Sequence, residues 1–278
     1  MQITAEMVKN LREATGAGMM DCRKALMDAE GNMAEAEKIL KKMGLAAVAK
    51  RAERATESGR VDIAAGKSAV ALVSVACETD FVAKNETFKK AVGEMAKYAL
   101  DKKLNEVDDK LKGMVNDLIS TIKENMGVKK VVCMPIDKNE AADYYIHNDG
   151  ALGAIVKFRC DKPECFSSEK VKAFMHDTAL HVMAFNPQYL NEAAVEAKFK
   201  SEQMEIFKAQ VASLDKPDKV KDGIVMGKYS ALLKEICLMN QGFFRDEKIS
   251  TEQALKQISK EVGCALEIVD YICVRAGV

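Results

Sequence analysis

The sequence predicts an α+β protein with a small N-terminal three-helix domain and two related α+β subdomains with antiparallel sheets, the second carrying a helical hairpin. Three observations predict it. Apolar residues recur at helical spacing over roughly the first forty positions, with glycines between the runs. The stretches Ala69–Cys77 and Leu152–Cys160 share an apolar, strand-like pattern ending on cysteine, and in each case a hairpin signal precedes and a helical pattern comes after. Between residues 192 and 240, two long helical runs are divided by Asp215-Lys216-Pro217-Asp218, the pattern of an antiparallel coiled-coil hairpin.

A chain of 278 residues exceeds what one core usually supports. The punctuation suggests residues 1–55 as the helical domain with its linker, 56–139 as the first subdomain and 140–278 as the second. In the first domain, Met7/Val8 and Leu11, then Cys22 with Ala25/Leu26, then Met33, Ala36, Ile39/Leu40 and Met43 define three apolar faces. Gly16-Ala17-Gly18, Gly31-Asn32 and Gly44 mark their ends, and Asn32 with Glu35 reads as a capping pair. Met19 and Met20 fall in the loop after two glycines. A short connection cannot bury two adjacent Met side chains, so at most one of them belongs to the core. Residues 45–58, rich in Ala, Lys and Arg, read as a helical or extended linker.

The first subdomain opens with a hairpin whose turn is Gly66-Lys67-Ser68. Those three residues imitate the end of a phosphate-binding loop, but Val61 stands where its first glycine should be and no helix comes next. Two helices lie beyond the hairpin, one beginning near Glu86 and one ending at Gly127, then a strand at 129–134 closed by Pro135. The second subdomain repeats the hairpin around Asn148-Asp149-Gly150, succeeded by a helix stopped at Asn186-Pro187. After the helical hairpin, Ser250-Thr251-Glu252-Gln253 forms a capping box, and residues 266–274 make a last strand.

Chemistry is sparse. Lys+Arg and Asp+Glu both number 42, so there is no global pull toward nucleic acid or membrane. Residues 38–60 hold seven basic residues against Glu53 and Glu57, but no aromatic is interleaved to stack on bases. A solvated helix end explains that stretch, and a non-catalytic RNA- or ribosome-associated adaptor is the rival reading. The start, Met1-Gln2-Ile3-Thr4-Ala5-Glu6, lacks a basic leader, and no run nears the ~20 apolar residues of a membrane span. A cytoplasmic protein is expected, and its eight cysteines read as buried, reduced thiols. His176 and His181 are five apart, about 140° around a helix, and Cys160 with Cys165 would need ligands from elsewhere, so no metal site is expected. Neither a nucleophile elbow nor a dinucleotide fingerprint occurs. A non-enzymatic protein without a cofactor is the expectation.

One stretch stands out against this plain background. Thr79-Asp80-Phe81-Val82-Ala83-Lys84-Asn85 lies in a strand-to-helix connection, where Phe81 is either presented to a partner or turned inward as a staple under the next helix. Only the first subdomain has it; the second has Asp161-Lys162-Pro163-Glu164-Cys165-Phe166 in its place. An element present in one half only is harder to explain as scaffold.

This stretch, together with Thr15-Gly16-Ala17-Gly18-Met19-Met20-Asp21-Cys22-Arg23-Lys24-Ala25-Leu26, resembles the bacterial translation elongation factor Ts family. Weaker likeness at His147, at Leu180-His181-Val182-Met183-Ala184 and in the helical hairpin extends the resemblance over the full length. It implies a ubiquitin-associated-like N-terminal domain and a guanine-nucleotide exchange factor for elongation factor Tu, bound both with GDP and free of nucleotide. It further implies that Asp80 and Phe81, with Thr79 and Val82 around them, reach the magnesium- and phosphate-binding region of the partner's G domain. Met19, Met20, Arg23, Ile122 and His147 would add partner contacts. No direct nucleic acid, membrane or metal is implied, while the helical hairpin leaves a homodimer open. Two residues depart from the family pattern: Arg23 stands where Lys is usual, and Lys123 replaces the glycine of Ile-Gly-Glu-Asn.

Overall fold

The computed structural model describes residues 3–277, with the backbone alone at Leu45, Ala47 and Ala49; Met1, Gln2 and Val278 lie outside the described residues. It is mixed helix and sheet, with small antiparallel sheets and an N-terminal three-helix segment, as the sequence predicts. Among the described residues no helix is long and apolar enough to cross a membrane. The chain forms two compact units, Met1–Pro135 with Ile146–Gly153 and Val274–Val278, and Ile136–Tyr145 with Ala154–Cys273.

The first unit begins with α1 (Ala5–Thr15), α2 (Met19–Asp28) and α3 (Met33–Arg51), packed around Leu11, Cys22, Ala25, Leu26 and Ala36. Thr4 caps α1, and Asn32 caps α3 by accepting the Glu35 N–H at 3.2 Å. Two expectations need correction. Met19 and Met20 are the first two residues of α2, not loop residues, because Gly18 is its N-cap. The third helix does not end at Gly44; it runs on through much of the expected linker. Gly44 is small for another reason: a Cβ there would lie 2.4 Å from Ser120 Oγ on a later helix, so this glycine permits close helix approach.

Strands β1 (Ser58–Ala65), β2 (Ala69–Cys77) and β3 (Met126–Pro135) form an antiparallel sheet in the order β1-β2-β3. All nine residues of β2 are buried, which its unbroken apolar run foreshadowed. Between β2 and β3 lie α4 (Asp80–Ala83), α5 (Glu86–Lys102) and α6 (Asp109–Ile122). Phe88, Val92 and Met95 of α5 and Leu111, Val115 and Ile119 of α6 bury against Val73 and Val75. Gly127 does not end α6. Lys123 caps it in the left-handed conformation, at φ 69°, and Gly127 sits inside β3 opposite Ala76.

The second sheet repeats this plan. After β4 (Glu140–His147) and β5 (Leu152–Cys160) come α7 (Glu169–Phe185), the hairpin helices α8 (Ala197–Ala212) and α9 (Asp218–Ile236), and a short ribbon of β6 (Gly242–Phe243) and β7 (Asp246–Ser250) that the sequence pattern did not reveal. The chain closes with α10 (Thr251–Val262) and β8 (Leu266–Arg275), giving a sheet ordered β4-β5-β8 with β5 central. The capping box is present: Ser250 Oγ accepts the Gln253 N–H at 3.2 Å, and Gln253 Oε1 accepts the Ser250 N–H at 2.9 Å.

Within the second unit, His181 of α7 is fully buried, with Nε2 3.0 Å from Gln241 Oε1 and its ring stacked on Phe185 at 4.6 Å. Gln241 Nε2 donates to Glu235 O, which aims Oε1 at the ring, so His181 Nε2 carries the proton and donates. Nδ1 has no hydrogen-bond partner among the described residues, consistent with a neutral imidazole. Burial therefore lowers the His181 pKa below its ordinary 6.5. The unfolded chain then takes up a proton near pH 6.5 that the folded chain refuses, so stability is full above that pH and falls as pH drops through it. Urea melts between pH 7.5 and 5.5 are expected to lose up to about 1.4 kcal/mol per pH unit below 6.5, and His181→Gln is expected to flatten that slope.

Candidate partner-binding site

The site is built on a single helical turn. Thr79 is the N-cap of α4, its Oγ1 accepting the Val82 N–H at 3.3 Å. Thr79 is itself held from outside: its N–H and Oγ1 donate to Glu124 Oε2 and Oε1 at 3.1 and 2.7 Å. At the other end Asn85 caps α5, accepting from Thr87 N and Phe88 N at 2.8 and 3.4 Å, with the Phe88 ring fully buried. Between these fixed ends Val82 turns inward, 9% exposed, and Phe81 stands out, 82% exposed. The staple reading of Phe81 does not hold; Val82 fills the inward position instead. Beside it, Asp80 Oδ2 accepts from Lys84 Nζ at 2.9 Å, and that hydrogen bond holds the Asp80 carboxyl below its usual range.

The two motifs of the sequence meet at the C-terminal end of α6. Lys123 Nζ reaches Asp21 Oδ2 of α2 at 3.2 Å, while the next residue, Glu124, clamps Thr79. Asn125 continues the seam, its N–H donating to Glu78 Oε1 at 2.5 Å and its amide to Arg54 O at 2.7 Å. Ile122 is half-buried against the core of the first sheet, so its part is to seat this corner. Lys123, where the resemblance expects glycine, keeps the left-handed backbone that glycine would adopt freely and adds a side chain that ties α6 to α2.

On α2, Met19 and Met20 are both exposed, at 58% and 74%. Met27 is exposed as well, and with Met20 and Arg23 it has the spacing i, i+3, i+7, so the three share one helix face. The sequence reading missed Met27, although that spacing pointed to it. It also missed Glu124, whose partner is 45 residues away and leaves no local signal. His147 is exposed at the end of β4, where the turn residues Asn148 and Asp149 both have positive φ. Asp149 Oδ1 and Oδ2 receive Arg60 and Lys89 at 3.0 and 2.6 Å, and the Lys89 contact, ahead of that of Arg60, keeps the Asp149 carboxyl below its usual range. Lys89 belongs to the first turn of α5, so the His147 turn is moored to the helix next after the Phe81 element.

A family model described as elongation factor TS matches residues 78–278, which is more than half of the chain. The chain belongs to the elongation factor Ts family. Elongation factor Ts of Treponema denticola is 44% identical over 278 residues, an alignment that covers 100% of this chain and 99% of that protein. Elongation factor Ts of Treponema pallidum (strain Nichols) is 39% identical over 289 residues, with 100% of both chains covered, and that of Borrelia recurrentis 38% over 278 residues, again with both fully covered. Membership makes this a protein of translation elongation, and the N-terminal helices fit the ubiquitin-associated-like domain of the family.

Two rival chemistries find less support in the geometry. In the basic stretch, Lys38 pairs with Glu35, Arg54 with Glu78, and Arg60 with Asp149, so at least three of its seven cations are already engaged. Burial raises the thiol pKa of Cys77, to about 12, and also raises those of Cys133 and Cys237, the reverse of what activates a nucleophile.

Glu124→Ala removes both acceptors from Thr79 while leaving the backbone of α4 in place. The expected loss is about 1–3 kcal/mol, felt locally. Amide exchange in the segment 79–85 should accelerate about tenfold to a hundredfold while exchange in β5 stays unchanged; equal exchange in the variant would mean that the clamp does not hold the turn.

Proposed function

We propose that this chain is a guanine-nucleotide exchange factor that binds elongation factor Tu in its GDP-bound and nucleotide-free states and promotes GDP release, acting without covalent chemistry and without a cofactor. The observation that carries this reading is Phe81, 82% exposed on a turn whose two ends are anchored. An exposed aromatic that cannot fold back costs little ordering when a pocket receives it.

The mechanism is a difference in binding. A factor that grips the nucleotide-free partner more tightly than the GDP-bound one weakens GDP by the same factor, because linkage is reciprocal. Phe81 supplies such a difference if its pocket opens only when nucleotide and magnesium let go. Full burial of the ring is worth about 1.5–3 kcal/mol, or roughly 10- to 150-fold in relative affinity. Asp80 sits one residue before it, and its bond to Lys84 is a solvent-exposed pair of small net worth, so the carboxylate is free to exchange partners. Once at the nucleotide site, its negative charge would compete for the groups that order the magnesium ion. Met19 and Met20, with Arg23 on the same short helix, form a second, adaptable contact surface on the partner. His147 and Ile122 act at the margins, one exposed on its turn and the other seating the α6 corner.

The decisive experiment tracks release of labelled GDP from elongation factor Tu. Phe81→Ala is expected to slow stimulated release at least tenfold while changing unfolding free energy by less than about 0.5 kcal/mol, since the side chain is on the surface. Phe88→Ala, seven residues on and fully buried, is the internal contrast and should cost about 3–5 kcal/mol of stability. Unchanged release with Phe81→Ala would defeat the wedge. Joint replacement of Met19 and Met20 by Ala is expected to weaken the complex without loss of stability, whereas binding to RNA that falls steeply with salt would favour the adaptor reading.

A further inference from the structure

The second sheet carries a cluster of thiols that the exchange reaction does not use. Cys160 ends β5, Cys165 lies in the 3-10 turn Pro163–Ser167, and Cys264 comes directly after the glycine cap of α10. Their three sulfur atoms all lie within 4.8 Å of one another. A disulfide would use only two of them. In a tetrahedral zinc–thiolate centre the metal–sulfur distance of about 2.3 Å sets sulfurs about 3.8 Å apart, so small side-chain rotations bring this trio to ligand spacing.

The surroundings are those of a preformed site. The loop after Cys160 and the loop around Cys264 are laced together: Asp161 N–H donates to Ala265 O at 3.3 Å, Ala265 N–H to Asp161 Oδ1 at 2.6 Å, and Lys162 Nζ to Gly263 O at 2.6 Å. Cys160 Sγ donates to Asp161 Oδ1 at 3.6 Å, an oxygen within reach of a fourth position. Cys160 and Cys264 are buried and Cys165 is half-exposed, which leaves an entry path on the Cys165 side. Three thiolates select a thiophilic cation over magnesium or calcium.

We propose that Cys160, Cys165 and Cys264 form a zinc(II) site, with the Asp161 carboxylate or a water molecule completing the coordination, which fastens the turn after β5 to the end of α10. Its role is structural and separate from nucleotide exchange. The sequence pointed away from metal because the Cys160 and Cys165 pair lacked a third ligand; Cys264, about a hundred residues later, supplies it through the fold.

The test uses the full chain, purified in reductant and stripped with a chelator, and titrated first with cobalt(II) and then with zinc(II). One equivalent of cobalt should give thiolate-to-cobalt charge-transfer absorption that zinc displaces, and zinc should raise Tm. Cys165→Ser, a change at a half-exposed position, should weaken binding by about 100-fold or more, while Cys273→Ser leaves it unchanged. In the unmutated protein, zinc should slow alkylation of Cys165 by about tenfold and leave that of Cys273 alone. The proposal falls if no charge-transfer band develops, if the band survives Cys165→Ser at full strength, or if zinc fails to protect Cys165. It falls too if protein alkylated at lysis yields two of the three thiols as a disulfide, for the cluster would then be a redox pair.

Discussion

The carboxylate of Glu124, receiving two hydrogen bonds from Thr79, is the contact on which the exposed part of the first unit depends. A one-turn helix has no stability of its own, since its ends outnumber its internal bonds. What makes α4 a fixed platform is that its N-cap is gripped from α6 and its C-terminal side runs directly into the Asn85 cap of α5. Phe81 is presented because its neighbours are not free to move. The same corner reaches α2 through Lys123 and Asp21, so the exposed methionines and the exposed phenylalanine are referenced to one point in the structure.

The two sheets show one plan put to different uses. β2 and β5 are both central strands, both nearly continuous in apolar residues, and both end on a buried cysteine. Beyond that cysteine the two diverge. In the first sheet the connection displays Asp80 and Phe81; in the second it turns back through Pro163 and carries Cys165 toward the C-terminal end of α10. The strand and the helix behind it are constrained by packing, and the connection between them is where an addition perturbs the core least.

Much of this was legible in the sequence for local reasons. Helical periods, the Asn32 and Ser250 caps and the Asn148-Asp149-Gly150 turn all depend on residues within a few positions of one another. The features that escaped were non-local or ambiguous. Gly44 looked like a helix stop, because a glycine required by close packing against Ser120 is indistinguishable in sequence from one that caps. Gly127 misled in the same way, for the residue that actually ends α6 is Lys123, an unusual occupant of left-handed backbone. The Glu124 clamp, the Met27 face and the Cys264 ligand depend on which segments the fold brings together or leaves uncovered.

The discontinuity of the first unit has a consequence for how the chain is made. Arg60 on β1 bonds Asp149 across 89 positions, Val61 N–H donates to Gly150 O, and Ala276 N–H donates to Ala151 O. Residues that complete the first unit therefore emerge from the ribosome in two later instalments, 146–153 part-way through the second unit and 274 onward after residue 273. The N-terminal helices and the first sheet can pack early through local contacts, but the edge at β1 stays open until residues 146–153 arrive. For that interval the growing chain exposes a strand edge, and the order of synthesis, more than the strength of any one contact, decides how long the edge remains unprotected.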